Sequence, residues 1–181
     1  MNVLGIDPSL TGTGFSYRNA KGVVTGTISP GKLRGTTRLC YLRDRFLSVL
    51  SATPIDLVVY EGYSMNSKFG RLADLGELGG VLKVAMHDRS IPYLIVPPSN
   101  LKMFATGNGG LRGDAGKKIM AQAAADHLGR KLPTYDEADA FFLMLLGEAW
   151  VFPRTRPRDR RHHRNRALLK CEMFQRGVHV A

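Results

Sequence analysis

Val3-Leu4-Gly5-Ile6-Asp7-Pro8-Ser9-Leu10-Thr11-Gly12-Thr13-Gly14-Phe15-Ser16-Tyr17 is an apolar run that stops on an acid, turns, and enters a second apolar run. Residues 2–7, 12–17 and 22–28 therefore read as three successive strands joined by tight turns, the third marked by β-branched Val24, Thr25, Thr27 and Ile28. Leu39, Leu42, Phe46 and Leu50 then recur at helical spacing with Arg38, Arg43, Asp44 and Arg45 between them, which predicts an amphipathic helix over 36–50. Pro54 ends that pattern. Residues 55–60 are almost wholly apolar, as a strand buried on both faces requires, and they end on Glu61, where open α/β sheets place their sites.

Residues 72–87 predict another helix, weakened by Gly76, Gly79 and Gly80, and 91–96 a fifth strand that Pro97-Pro98 stops. Ser99 is the expected cap of a short helix through Phe104, and the glycines from Gly107 to Gly113 mark a loop. Asp114 is the expected cap of the next helix, to about His127. Thr134 with Glu137 three residues on has capping-box spacing for a last helix through Ala138, Phe141, Phe142, Leu145 and Leu146. The predicted fold class is α/β, a mixed five-stranded sheet flanked by helices with a basic C-terminal tail. This is the element order of the ribonuclease H-like fold. Residues 1–150 form the expected domain and 151–181 the tail.

The chain has 181 residues, 44% of them hydrophobic, enough for one domain with a sizeable core. Lys and Arg number 26 against 15 acids, a net charge of +11, so a polyanion is the leading partner class. Most of the excess lies in the tail, where Arg154, Arg156, Arg158, Arg160, Arg161, Arg164 and Arg166 are almost unbroken by apolar residues. Such a stretch is expected to be extended or disordered when free and to run along a phosphate backbone; its plain alternative is a solvated tail. Cys40 and Cys171 are too few for a disulfide framework, and no apolar run is long enough to span a bilayer. With no basic leader before Val3, the expectation is a cytoplasmic protein of a bacterium, or of a phage acting in its bacterial host.

Asp7 and Glu61 close strands, while Asp136 and Asp139 sit three apart in the first turn of a helix and so share a face. Each acid has an ordinary structural use: Asp136 suits a helix N-terminus, and Asp7 a turn with Pro8. Gathered together they would repel one another unless a cation neutralised them, and a negative hole in a basic chain suggests a nuclease. Hard oxygen ligands suit Mg²⁺, with Mn²⁺ as substitute. Two such ions roughly 4 Å apart can activate a water and stabilise a departing 3′ oxygen.

In that order, Gly5-Ile6-Asp7-Pro8-Ser9-Leu10-Thr11-Gly12-Thr13-Gly14, Tyr60-Glu61, Pro98-Ser99-Asn100-Leu101-Lys102 with Thr106-Gly107-Asn108-Gly109, and Asp136-Glu137-Ala138-Asp139 resemble the RuvC family of Holliday junction resolvases over residues 1 to about 150. The resemblance implies that Asp7, Glu61, Asp136 and Asp139 are catalytic metal ligands. It also matches Lys102 to a functional lysine, with a second at Lys117 or Lys118. It implies a two-metal endonuclease that resolves junctions by paired nicks in branched DNA, as a homodimer. Lys102, Lys117, Lys118, Arg154, Arg156, Arg158, Arg160 and Arg161 are the expected DNA contacts. A flap, fork or end nuclease of the same fold is the competing enzyme, and a module that binds branched DNA without cutting is the competing class.

Other signals carry less. The stretch Gly113-Asp114-Ala115-Gly116-Lys117-Lys118 lacks the earlier glycine and the Ser or Thr of a nucleotide-binding loop. Actin-like ATPases share the first loop but need a second comparable domain. His162, His163, Cys171 and His179 fit no usual zinc spacing. Tyr63 and Phe69 are open between stacking on DNA and packing. Leu72, Leu75, Leu78, Leu82 and Met86 form an apolar stripe open between core and a dimer interface.

Overall fold

The computed structural model describes residues 1–63, 69–152, 163–168, 171–175 and 178–180. Strands β1 (Val3–Asp7), β2 (Thr13–Asn19) and β3 (Gly22–Ile28) form an antiparallel meander. After helix α1 (Gly35–Ala52), β4 (Leu57–Glu61) returns parallel to β1. After α2 (Phe69–Asp88), β5 (Tyr93–Val96) pairs parallel to β4. Helices α3 (Pro98–Thr106), α4 (Gly113–Leu128) and α5 (Tyr135–Val151) follow. The expected five strands are all present, in the order β3-β2-β1-β4-β5.

The sheet does not end at β5. Strands β6 (Glu172–Gln175) and β7 (Val178–Val180) continue it antiparallel, so among the described residues it has seven strands, two of them from the segment read as tail. An open edge is a template for pairing, and only the fold tells which segment reaches it. Residues His163–Leu168, at the end of the arginine-rich stretch, form helix α6 rather than extended chain. Ala167 and Leu168 are buried, and Asn100 of α3 donates through Nδ2 to the Ala167 carbonyl at 2.7 Å, which ties α6 to α3. Arg154, Arg156, Arg158, Arg160, Arg161 and His162 lie outside the described residues.

Strand periodicity sorts the core into two layers. Val3, Leu57, Val59, Leu94 and Val96 face α3, α4 and α5, while Leu4, Ile6, Val58 and Tyr60 face α1 and α2. By the same alternation Asp7 and Glu61 project on the α5 side. Helix α5 lies so close to the sheet that a Cβ on Gly5 would collide with the Ala140 carbonyl, and one on Gly14 with the Asp136 backbone. Gly14 lets the first turn of α5 settle on β2, and Gly5 lets the following turns settle on β1.

Some local readings shift. Helix α3 starts at Pro98 with Pro97 as N-cap, not at a Ser99 cap, because proline's fixed φ suits the first helical position. Helix α4 is capped by Arg112 rather than Asp114, which sits in its first turn. Thr134 does cap α5, accepting from the Glu137 N–H at 3.1 Å. The Glu137 carboxylate accepts from that same hydroxyl at 3.4 Å and reaches across to β3, accepting from Thr25 Oγ1 at 2.7 Å and Thr27 Oγ1 at 3.1 Å. In the apolar stripe of α2, Leu78, Leu82 and Met86 are core, while Leu72 and Leu75 are partly buried. Among the described residues no helix is long and apolar enough to cross a membrane.

Candidate active site

Register places the first two acids side by side. Ile6 pairs with Tyr60 in the parallel β1–β4 ladder, so Asp7 and Glu61 come next, at the same end and on the same face. Asp7 also pairs with Gly14, the residue over which the first turn of α5 lies; that turn carries Asp136, and Asp139 follows three residues on. Four carboxylates from three remote segments thus line one cleft of about 340 Å³. Pro98, Lys102, Gly113, Gly116 and Lys117 line it as well.

The cleft is electrostatically loaded. Burial first, then Glu61, Asp139 and Asp136, holds the Asp7 carboxyl well above the usual range. Asp139 is pushed up to about 8 by burial, then by Glu61 and Asp136, with Lys102 and Lys117 pulling the other way. Glu61 is raised by burial, opposed by its hydrogen bond with Asp7 and by Lys102. Asp136 is raised by burial and Glu137 and lowered by Lys117. These are groups whose charged forms the protein alone does not satisfy.

The donor set fits a hard divalent cation. Asp139 Oδ1 is buried with no hydrogen-bond partner among the described residues, which leaves an acceptor open to a cation. Among the described residues no three carboxylates, histidines or cysteines already close around one point. The Asp7 and Glu61 carboxyls are close enough for each to shift the other's protonation.

Lys102 is fixed. Its Nζ donates to the Leu111 carbonyl at 3.0 Å while its charge bears on Glu61 and Asp139. Lys117 is exposed, lines the cleft, and stands 5.9 Å from the centroid of the Tyr135 ring. Lys118 is also exposed but does not line the cleft, so the two candidates for the second lysine separate. Ser9 at the cleft wall was not a sequence candidate; its N–H and carbonyl are both engaged by Thr13 Oγ1, at 3.2 and 2.9 Å, which closes the turn after Asp7. The alternation of Thr25 and Thr27 on β3 was the available signal for the Glu137 brace.

A crossover junction endodeoxyribonuclease RuvC of Anaeromyxobacter dehalogenans is 33% identical over 146 residues, covering 77% of this chain and 76% of that protein. The protein of the same name from Paenarthrobacter aurescens is 27% identical over 157 residues, covering 83% and 82%. Among solved structures, Thermus thermophilus RuvC in complex with Holliday junction substrate superposes with a TM-score of 0.66 at 19% identity, over 80% of this chain and 90% of that one. No family model matches the chain.

Proposed function

We propose, for a chain that belongs to the RuvC family, that it is a metal-dependent endonuclease cutting phosphodiesters in branched DNA, a Holliday junction resolvase acting by paired nicks. The single observation that carries this reading is the convergence of Asp7, Glu61, Asp136 and Asp139 on one cleft in a chain of net charge +11. The relatives' names and the fold shared with a junction-bound RuvC support the same substrate.

Asp7, Glu61, Asp136 and Asp139 would hold two Mg²⁺ ions, with Mn²⁺ as substitute. Bound there, the metal supplies activation of the attacking water and stabilisation of the departing 3′ oxygen. Asp7, whose carboxyl feels Glu61, Asp139 and Asp136 at once, would be a principal ligand. Asp139 offers its unpartnered oxygen. Lys102, held by the Leu111 carbonyl, offsets charge that develops on the phosphate from a position that costs no reorganisation. Lys117 guards the open side of the cleft and draws the DNA backbone toward it. Lys118 and the arginines at 154, 156, 158, 160 and 161 add sequence-independent backbone contacts.

Paired nicks at matching positions need two symmetric sites, so the acting species is a homodimer. Its compartment is the bacterial cytoplasm. The test is the product pattern from a synthetic mobile four-way junction set beside linear, flap and fork substrates in Mg²⁺ and Mn²⁺. Symmetric nicks are expected, and sedimentation should give twice the 20.0 kDa chain mass. One-sided trimming of every open end, or intact DNA in both metals, would refute the proposal.

A further inference from the structure

Tyr60 and Tyr63 bracket Glu61, one residue before it and two after, and both side chains are held by a single turn of α2. Tyr60 is fully buried against that helix, and its hydroxyl donates toward the Tyr63 hydroxyl at 3.5 Å. A Cβ on Gly79 would overlap the Tyr63 hydroxyl and lie 2.7 Å from the Tyr60 hydroxyl and 2.8 Å from Tyr63 Cζ. Gly76 and Gly80 of the same helix face open space. Glycine is a poor choice inside a helix, so its use at the buried position 79 calls for a local reason, and the Tyr63 hydroxyl is the atom that occupies the space.

One turn on, Lys83 Nζ stands 5.5 Å from the centroid of the Tyr63 ring and 5.7 Å from that of Tyr60. Lys83 has no ion pair among the described residues, so its charge is met by two π-faces. The Gly62 N–H adds a bond to the Val96 carbonyl at 2.8 Å.

We propose that Gly79 and Lys83 form a seat for Tyr63, and that this seat positions Glu61 toward Asp7 by anchoring the chain where β4 leaves the sheet. A strand's last residue otherwise has the freedom of the loop that follows it. Tyr63 is thereby a positioning residue at the cleft wall rather than a ring that stacks on DNA. The inference rests on the nuclease reading for its consequence and on contacts within the protein for its geometry.

The test uses the full chain with single-turnover cleavage of a four-way junction in Mg²⁺, junction affinity by gel shift in Ca²⁺, and the rise in melting temperature on adding Mn²⁺. Gly79→Ala, whose new methyl evicts Tyr63, is expected to slow cleavage on the order of 10–100-fold through misplacement of Glu61. Affinity should stay within about threefold, the reach of a change that leaves every phosphate-binding cation in place, and the Mn²⁺-induced rise should shrink. Adding Tyr63→Phe removes the nearest of the three clashing atoms and should recover part of the missing rate, which a merely damaged helix would not allow. Wild-type cleavage by Gly79→Ala, or no recovery in the double variant, overturns the seat. If Gly79→Ala does not fold, Lys83→Met and Tyr63→Leu take its place. Each should slow cleavage with affinity retained, and wild-type rates in both overturn the proposal. If the wild-type chain leaves every DNA intact, the nuclease reading fails, and the Mn²⁺ thermal shift alone judges the seat.

Discussion

Asp7, Glu61 and Asp139 stand on backbone packed into the core, at the ends of β1 and β4 and near the start of α5, whereas Lys102 and Lys117 stand on α3 and α4. On the acidic wall, Gly5 and Gly14 let a nearly all-buried helix touch the sheet, and Glu137 braces that helix to β3. On the basic wall, Lys102 relies on one carbonyl of the 107–112 loop, and Lys117 points from an exposed face. Groups that must converge despite mutual repulsion need a scaffold that the core holds in place. Groups that attract an incoming polyanion gain from exposure and reach.

The largest effect should come from the acidic wall. Asp7→Asn is expected to lower single-turnover cleavage on the order of 10³-fold, since losing one of the proposed metal ligands would take away several kcal/mol of transition-state stabilisation. Junction affinity in Ca²⁺ should be nearly unchanged by gel shift. A parallel drop in affinity would erase the distinction between the walls.

The basic wall should divide within itself. Lys102→Met is expected to cost on the order of 10²-fold in cleavage rate, and Lys117→Met about tenfold, because a fixed cation acts on developing charge more strongly than an exposed and screened one. Equal losses would show that exposure does not separate them.

The five arginines at 154, 156, 158, 160 and 161 replaced by glutamine should weaken junction binding and flatten its salt dependence, by about 0.9 in log–log slope for each phosphate no longer neutralised. Cleavage at saturating enzyme should be little altered. An unchanged slope would remove this segment from the interface.

The smallest effect is on stability. A carboxyl whose folded pKa exceeds its unfolded one holds its proton more tightly in the fold. The stabilisation from Asp139 is therefore complete below its ordinary 3.8 and is lost as pH rises through about 8. In EDTA the melting temperature should fall over that window, and Asp139→Asn should reduce the slope. A steeper fall in the variant would contradict the assignment.

Much of the acidic wall was legible in the chain. Apolar runs that end on Asp7 and Glu61, and a capping box with Asp136 and Asp139 in the turn it starts, locate four carboxylates at element ends, which is where local rules are strongest. Helix starts at Ser99 and Asp114 were misplaced because those residues cap well in isolation, while Pro98 and the loop before Gly113 decided otherwise. The role of Glu137 beyond its cap, signalled only by the alternation of Thr25 and Thr27, and the fate of Tyr63, set by Gly79 and Lys83, both depended on partners remote along the chain.

By itself, the string of residues determined the two periodicities, the ends of the elements, the excess of positive charge and the set of hard oxygen donors, all of which are properties of neighbours along the chain. The tertiary structure alone decided that Asp7 and Glu61 share a face, that the sheet goes on through β6 and β7, that Lys117 rather than Lys118 meets the cleft, and that the stripe on α2 is mostly core. Each of these is set by strand register, edge pairing or the rotation of a helix about its axis. Such choices are fixed by burial summed over distant segments, and a shift of one residue would reverse them.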